Sequence, residues 1–213
     1  MITKKLILII SFFVSSWVAY GQQEWTIMHP DKPDKTNSLQ LSLYAEAGLG
    51  MSFYHSTDEN FAPDFSPVAG VVIGGGLILN KTLLNDDKLS GKIGVLYTRF
   101  GFTSESEKVR GNYLCVPISI QYYPISNLYA ELVMQPCLNI GLSPTVAYIE
   151  GLSINLEGHR ANDFKVGFGV GYLFKAIPIG ISARYLIGTS DFAENLPWRG
   201  NLFQISVFYC FGI

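Results

Sequence analysis

From Phe203 to the end of the chain every second residue is large and apolar: Phe203, Ile205, Val207, Tyr209, Phe211 and Ile213. Between them stand Leu202, Gln204, Ser206, Phe208, Cys210 and Gly212, a mixed set of small, polar and apolar groups. A repeat of two belongs to an extended strand whose faces meet different surroundings. The same division returns upstream. Ile177, Ile179, Ile181, Ala183, Tyr185 and Ile187 alternate with Pro178, Gly180, Ser182, Arg184, Leu186 and Gly188. Phe164, Val166, Phe168, Val170, Tyr172 and Phe174 alternate with Lys165, three glycines, Leu173 and Lys175. Leu114, Val116, Ile118, Ile120 and Tyr122 alternate with Cys115, Pro117, Ser119, Gln121 and Tyr123.

Eight segments carry such alternation: 38–52, 67–79, 91–103, 113–123, 128–141, 164–174, 177–188 and 201–212. Each reaches the roughly 9–11 residues a tilted strand needs to cross a bilayer. At 67–79 and 91–103 the pattern is noisier, and the phase of those two faces stays open. An eight-stranded barrel has an interior just wide enough for its own side chains. Four to six large apolar residues from every strand would overfill it, whereas the Gly, Ser and Gln face fits. The large face then points outward, where only hydrocarbon accepts it. The expected fold is therefore all-β: an eight-stranded antiparallel up-and-down transmembrane β-barrel. A soluble lipocalin-like barrel or a two-sheet sandwich is the alternative.

Composition fits this reading, with 48% hydrophobic and 15% charged residues but no long apolar run after the first twenty. At the start, Lys4 and Lys5 precede the apolar run Leu6 to Val14, and Ala19 and Gly21 supply small residues at a cleavage site. This reads as a signal peptide over 1–21, followed by a polar periplasmic lead-in over 22–37 and a barrel over 38–213. No Cys follows the cut to carry a lipid anchor. Without the leader the chain has 13 basic and 17 acidic residues, a net charge of −4, which disfavours nucleic acid as a partner.

With the N-terminus in the periplasm, the connections at about 53–66, 104–112, 142–163 and 189–200 lie outside the cell. Those at about 80–90, 124–127 and 175–176 lie inside. Short inner turns and longer outer loops are the habit of outer-membrane barrels, although 80–90 is long for an inner turn. Tyr122, Phe174 and Phe211 would ring the periplasmic rim, with Phe164, Tyr185 and Phe203 at the outer one.

Two stretches carry a family likeness: Gly94 to Gly101 (GVLYTRFG) and Asn112 to Pro124 (NYLCVPISIQYYP). With the glycine-rich segment 164–174 and the aromatic last strand, they resemble the PorT-like outer-membrane β-barrel proteins of Bacteroidetes. The resemblance spans nearly the whole chain after the leader. It implies an eight-stranded barrel inserted from the periplasm by the barrel-assembly machinery. One member of that family serves a secretion system, a role not carried over here. One departure is the end of the chain, where Gly212 and Ile213 follow Phe211 instead of a terminal aromatic.

On the inner face Glu46, Gln121, Glu131, Gln135, Lys165, Arg184 and Gln204 would form a polar network filling the lumen, because an isolated buried charge is costly. A narrow ion path lined by the same groups is the alternative. If the fourth and fifth strands form a hairpin centred on Ser126, Cys115 faces Cys137 and Gln121 faces Glu131. In the oxidising periplasm Cys115 and Cys137 could form a disulfide or remain two buried thiols. Cys210 is left over, and three scattered cysteines do not make a metal site. His55 lies near Ser56 and Asp58, and His159 near Glu157 and Ser153, types that some barrel enzymes use on lipid A. Sequence proximity does not bring a nucleophile within reach of its base, so these read as solvated loop histidines. Gly74-Gly75-Gly76 lacks the Lys-Ser/Thr of a phosphate-binding loop and fits strand bending.

The expectation is a small monomeric barrel with no catalytic, cofactor or metal site. Its partners would be outer-membrane lipids and an extracellular or periplasmic partner. The segment 142–163, with Tyr148, Glu150, Glu157, His159 and Arg160, is the favoured contact surface. A narrow pore, a secretion accessory protein and a lipid A-modifying enzyme are the further alternatives.

Overall fold

A strand in hydrocarbon must pair every backbone group with a neighbour, and an up-and-down sheet does so completely only when its last strand meets its first. The computed structural model describes residues 40–57, 64–80, 88–104, 107–144, 146–149, 152–155, 162–174, 176–191 and 198–212. The wall comprises β1 (Gln40–Ser56), β2 (Phe65–Asn80), β3 (Leu89–Ser104), β4 (Glu107–Cys115), β5 (Ile118–Ile125), β6 (Leu128–Ser143), β9 (Asp163–Leu173), β10 (Ile179–Gly188) and β11 (Trp198–Gly212). A separate ribbon joins β7 (Val146–Ile149) to β8 (Leu152–Asn155).

All wall pairings are antiparallel, and β1 closes the ring on β11 from Ser42 opposite Gly212 to Ser56 opposite Trp198. β4 and β5 both lie between β3 and β6, so they are two halves of one wall strand and the ring has eight members. The ring is not evenly round.

The expected strand at 113–123 is thus two strands, Glu107–Cys115 and Ile118–Ile125. Pro117 has no N–H for the ladder, and a second proline, Pro136, stands on β6. The carbonyls of both prolines still serve the seam: Gly94 N donates to Pro117 O at 3.0 Å and Val116 N to Pro136 O at 2.9 Å. The expected outer loop at 104–112 is also corrected. β3 runs to Ser104 and β4 starts at Glu107, opposite it, so only two residues join the strands. The reason is that Thr103, Lys108 and Arg110 continue the ladder as polar strand residues, which apolar alternation cannot detect. The segment 142–163 is likewise not all loop, since it holds the β7–β8 ribbon.

At the turn between β5 and β6, Ile125 pairs with Leu128, Ser126 Oγ donates to Asn127 Oδ1 at 3.0 Å, and Asn127 Nδ2 donates to Leu173 O at 2.6 Å. The reversal is therefore tied to the neighbouring strand end. The leader 1–21, the lead-in 22–37, residues 81–87, Asp58, Glu150, Glu157, His159 and Arg160 lie outside the described residues.

Outside, large apolar side chains cover every wall strand: Leu49, Ile73, Val95, Ile120, Leu132, Val170, Ile181 and Ile205 are all exposed, Leu132 at 71%. Tyr122, Phe164, Phe174 and Phe203 are exposed nearer the ends.

Candidate functional site: the filled lumen

The inward side chains form three tiers. The lower tier, at the end holding Gln40 and the Ser126-Asn127 turn, packs Tyr44, Ile78, Tyr129 and Phe208 with Tyr123, Leu173 and Cys210. Glycines leave room for these rings. A Cβ on Gly171 would collide with the Tyr129 ring, and one on Gly180 with the Phe208 ring.

The middle tier holds the charge. Arg184 on β10 donates from Nε to Glu131 Oε1 at 2.7 Å and from Nη1 to Glu46 Oε1 at 2.8 Å. Lys92 on β3 donates to Glu46 Oε2 at 2.9 Å, and its ammonium lies 4.0 Å from the Tyr44 ring centroid. Gln204 Nε2 donates to Glu46 Oε1 at 3.1 Å, and Gln121 Nε2 reaches Glu131 Oε2 at 3.4 Å. Two carboxylates face two cations, so the tier is neutral. It spans the bore from β1 through β3 and β6 to β10. With all four side chains at least nine-tenths buried, removing one partner would strand the other without water, at a cost of about 3–5 kcal/mol. Gly169 makes space for this node, because a Cβ there would lie 2.9 Å from both Arg184 Cγ and Glu131 Oε1.

The upper tier is apolar and aromatic. Tyr54, Val72, Leu96, Phe100, Phe102, Tyr113, Trp198 and Leu202 pack with Phe65 across the opposite end. Phe100 stacks on Tyr113 at 3.9 Å between centroids and 5° between planes, and Phe65, Phe102 and Trp198 meet edge to face. Large apolar groups thus share the interior with the small and polar face expected there, and the open phase of β2 and β3 is settled. On β2, β3 and β4 the large residues Val72, Leu96, Phe100, Phe102, Val109 and Tyr113 point into the bore. Glycines and serines on β9 to β11 vacate the volume those rings take.

Of the seven residues singled out from sequence, Glu46, Gln121, Glu131, Arg184 and Gln204 meet in the middle tier. The other two do not. Lys165 sits higher, 2.5 Å from both Asp163 Oδ2 and Gly200 O and 4.8 Å from the Phe100 ring. Gln135 is buried with its Nε2 3.6 Å from Cys137 Sγ. Sequence reasoning missed Lys92. The outward Ile93 and Val95 beside it fix its phase, but the large inward residues further along β3 obscured that signal.

Cys115 and Cys137 stand opposite each other on β4 and β6 and form a disulfide, S–S 2.07 Å, with Gln121 opposite Glu131 lower on the same hairpin. Cys210 is a free thiol. His55 lies exposed near the upper end of β1. Among the described residues no cluster of His, Cys, Asp or Glu could hold a metal.

No family model matches this sequence, and no curated protein does either. Among solved structures, the chain is similar to neisserial surface protein A. The two are 14% identical, and the match covers 79% of this chain and 97% of that one with a TM-score of 0.52. Two structures of Ail, the attachment invasion locus protein of Yersinia pestis, also match at a TM-score of 0.42. The one with the heparin analogue sucrose octasulfate is 15% identical and the other 13%; each match covers 82% of this chain and 99% or 100% of the Ail chain. At these identities the likeness to neisserial surface protein A is one of fold, and the fold is an eight-stranded antiparallel transmembrane β-barrel.

Proposed function

We propose that the protein is a small, monomeric outer-membrane barrel with a structural or surface-binding role, no catalysis and no conductance. One observation carries this reading. Each of the eight wall positions turns a large aliphatic side chain outward, while Glu46, Lys92, Glu131 and Arg184 are sealed inside. A continuous apolar belt of that extent has no place on a soluble monomer. Apolar packing on both sides of the ion tier supports a filled bore without a water path.

With Gln40 at the periplasmic side, the β7–β8 ribbon stands outside the cell between β6 and β9. It is the surface offered to a partner. Insertion by the barrel-assembly machinery and kinship with PorT-like proteins belong to the same proposal.

Refolding into detergent tests it. The folded protein should migrate differently on a gel before and after boiling, and in planar bilayers it should give no single-channel steps. A single well-folded species in detergent-free buffer would overturn the membrane reading. Discrete currents altered by Arg184→Ala would replace the filled barrel with a pore.

A further inference from the structure

Among the described residues, the outward faces of β3 and β4 carry a cluster of basic side chains at one end of the wall. The stretch of β3 from Leu89 through Thr98 covers the roughly 9–11 residues needed to cross the hydrocarbon. Arg99 is the next residue, and it points outward between the inward Thr98 and Phe100. On β4, Arg110 and Lys108 also point outward, alternating with the inward Val109 and Gly111. Arg99 stands opposite Asn112, and Arg110 opposite Gly101. The two arginines are therefore diagonal neighbours on adjacent strands, roughly 7–8 Å apart.

Neither arginine has a carboxylate partner among the described residues, and the Nε of each is buried without a hydrogen-bond partner. Arg199, at the same end of the barrel, is by contrast paired with Asp191 at 2.8 Å. Asn112 lies beside them, and its Oδ1 accepts from Tyr97 Oη at 2.7 Å. That bond holds the amide so that its NH2 is left to donate. The corner thus presents two guanidiniums, an ammonium and an amide, all donors, at the level where headgroups begin. A guanidinium fork matches the oxygens of a phosphate.

We propose that Arg99, Arg110, Lys108 and Asn112 form a binding site for the phosphate of an outer-leaflet lipid headgroup, with the acyl chains lying along the apolar wall below. This rests on the membrane reading above, which sets the depth of Arg99.

The test uses the full barrel in phosphatidylcholine nanodiscs doped with either phosphatidic acid or diacylglycerol, which share tails and differ in the phosphate. Bound lipid is counted by native mass spectrometry. Phosphatidic acid should be retained over diacylglycerol, and Arg99→Gln and Arg110→Gln should each weaken retention about tenfold. Lys88→Gln, a charge removed at the opposite end of β3, should leave it unchanged. Equal retention of both lipids would overturn the proposal, as would an equal loss in Lys88→Gln, which would mean nonspecific attraction. Full displacement by millimolar inorganic phosphate would overturn the assignment to a lipid. Every variant is first checked for heat-dependent migration, so a protein that never entered the membrane fails there and not at the lipid count.

Discussion

Two halves of the same wall solve the filling of the bore in opposite ways. On β9, β10 and β11 the alternation is clean, with Val170, Ile181 and Ile205 outward and Gly169, Ser182 and Ser206 inward. On β2, β3 and β4 the inward side carries Val72, Leu96, Phe100, Phe102 and Tyr113, while Arg99 and Arg110 point out. Neither half would fill an eight-stranded bore alone, since one is too thin and the other too thick. Inward volume is conserved around the ring and not strand by strand, because what must be matched is the packed interior as a whole. A wall with bulky inward residues obliges the facing wall to be glycine-rich.

The charged node is where the thin wall depends most on the thick one, since Arg184 on β10 is held by Glu131 and Glu46 and Glu46 in turn by Lys92 on β3. Arg184→Ala leaves two carboxylates facing one ammonium in a dry bore. We expect a loss of about 4 kcal/mol, read from urea unfolding of the barrel in lipid vesicles. A loss under about 1 kcal/mol, the scale of an exposed pair, would mean that water reaches the tier and the two apolar seals do not close.

Phe100→Ala should follow at about 3 kcal/mol, because it opens a cavity against Tyr113 that the rigid wall cannot collapse into. Phe168→Ala, outward on the clean wall, should cost less, because lipid tails flow into the space it vacates. Equal losses in the two variants would erase the distinction between the halves.

The clean half was legible in the sequence because its outward residues are mostly large and apolar while most of its inward ones are small or polar, with Leu186, Trp198, Leu202 and Phe208 among the exceptions. Phe, Leu and Tyr on both faces of β2 and β3 carry no clean period-two signal, so the phase of those two strands stayed open and Lys92 went unnoticed. The break at Pro117 was hidden for another reason. Alternation continues through Val116 and Ile118 although the ladder does not. That Cys115 stands opposite Cys137 followed from the hairpin centre, a local quantity, while the choice between bridge and thiols did not. The node joining Glu46 to Arg184 brings together residues 138 apart, which no local pattern encodes.

The outward faces differ too, and arginine substitutions read the difference. Val170→Arg, in the middle of the apolar belt, should cost about 2–4 kcal/mol. Thr103→Arg, beyond Arg99 on β3, should cost about 0–1 kcal/mol, because an interfacial guanidinium reaches water and headgroups. The same vesicle unfolding measurement compares them. Similar penalties would place the Arg99 corner inside the hydrocarbon.

The smallest effect is expected at the rim of the thin wall, where Arg199 and Asp191 pair at 2.8 Å with side chains 40% and 44% exposed. The bond is as short as those of Arg184, yet water on both groups screens the attraction and stands ready to replace it. Asp191→Asn should therefore change stability by about 0–1 kcal/mol, a difference that disappears at high salt. Arg184→Ala in parallel should keep its penalty in high salt, since no counterion enters the tier. Two arginines with matching bond lengths would then differ severalfold in worth, because Arg184 holds two carboxylates in a buried tier while Arg199 holds one in water.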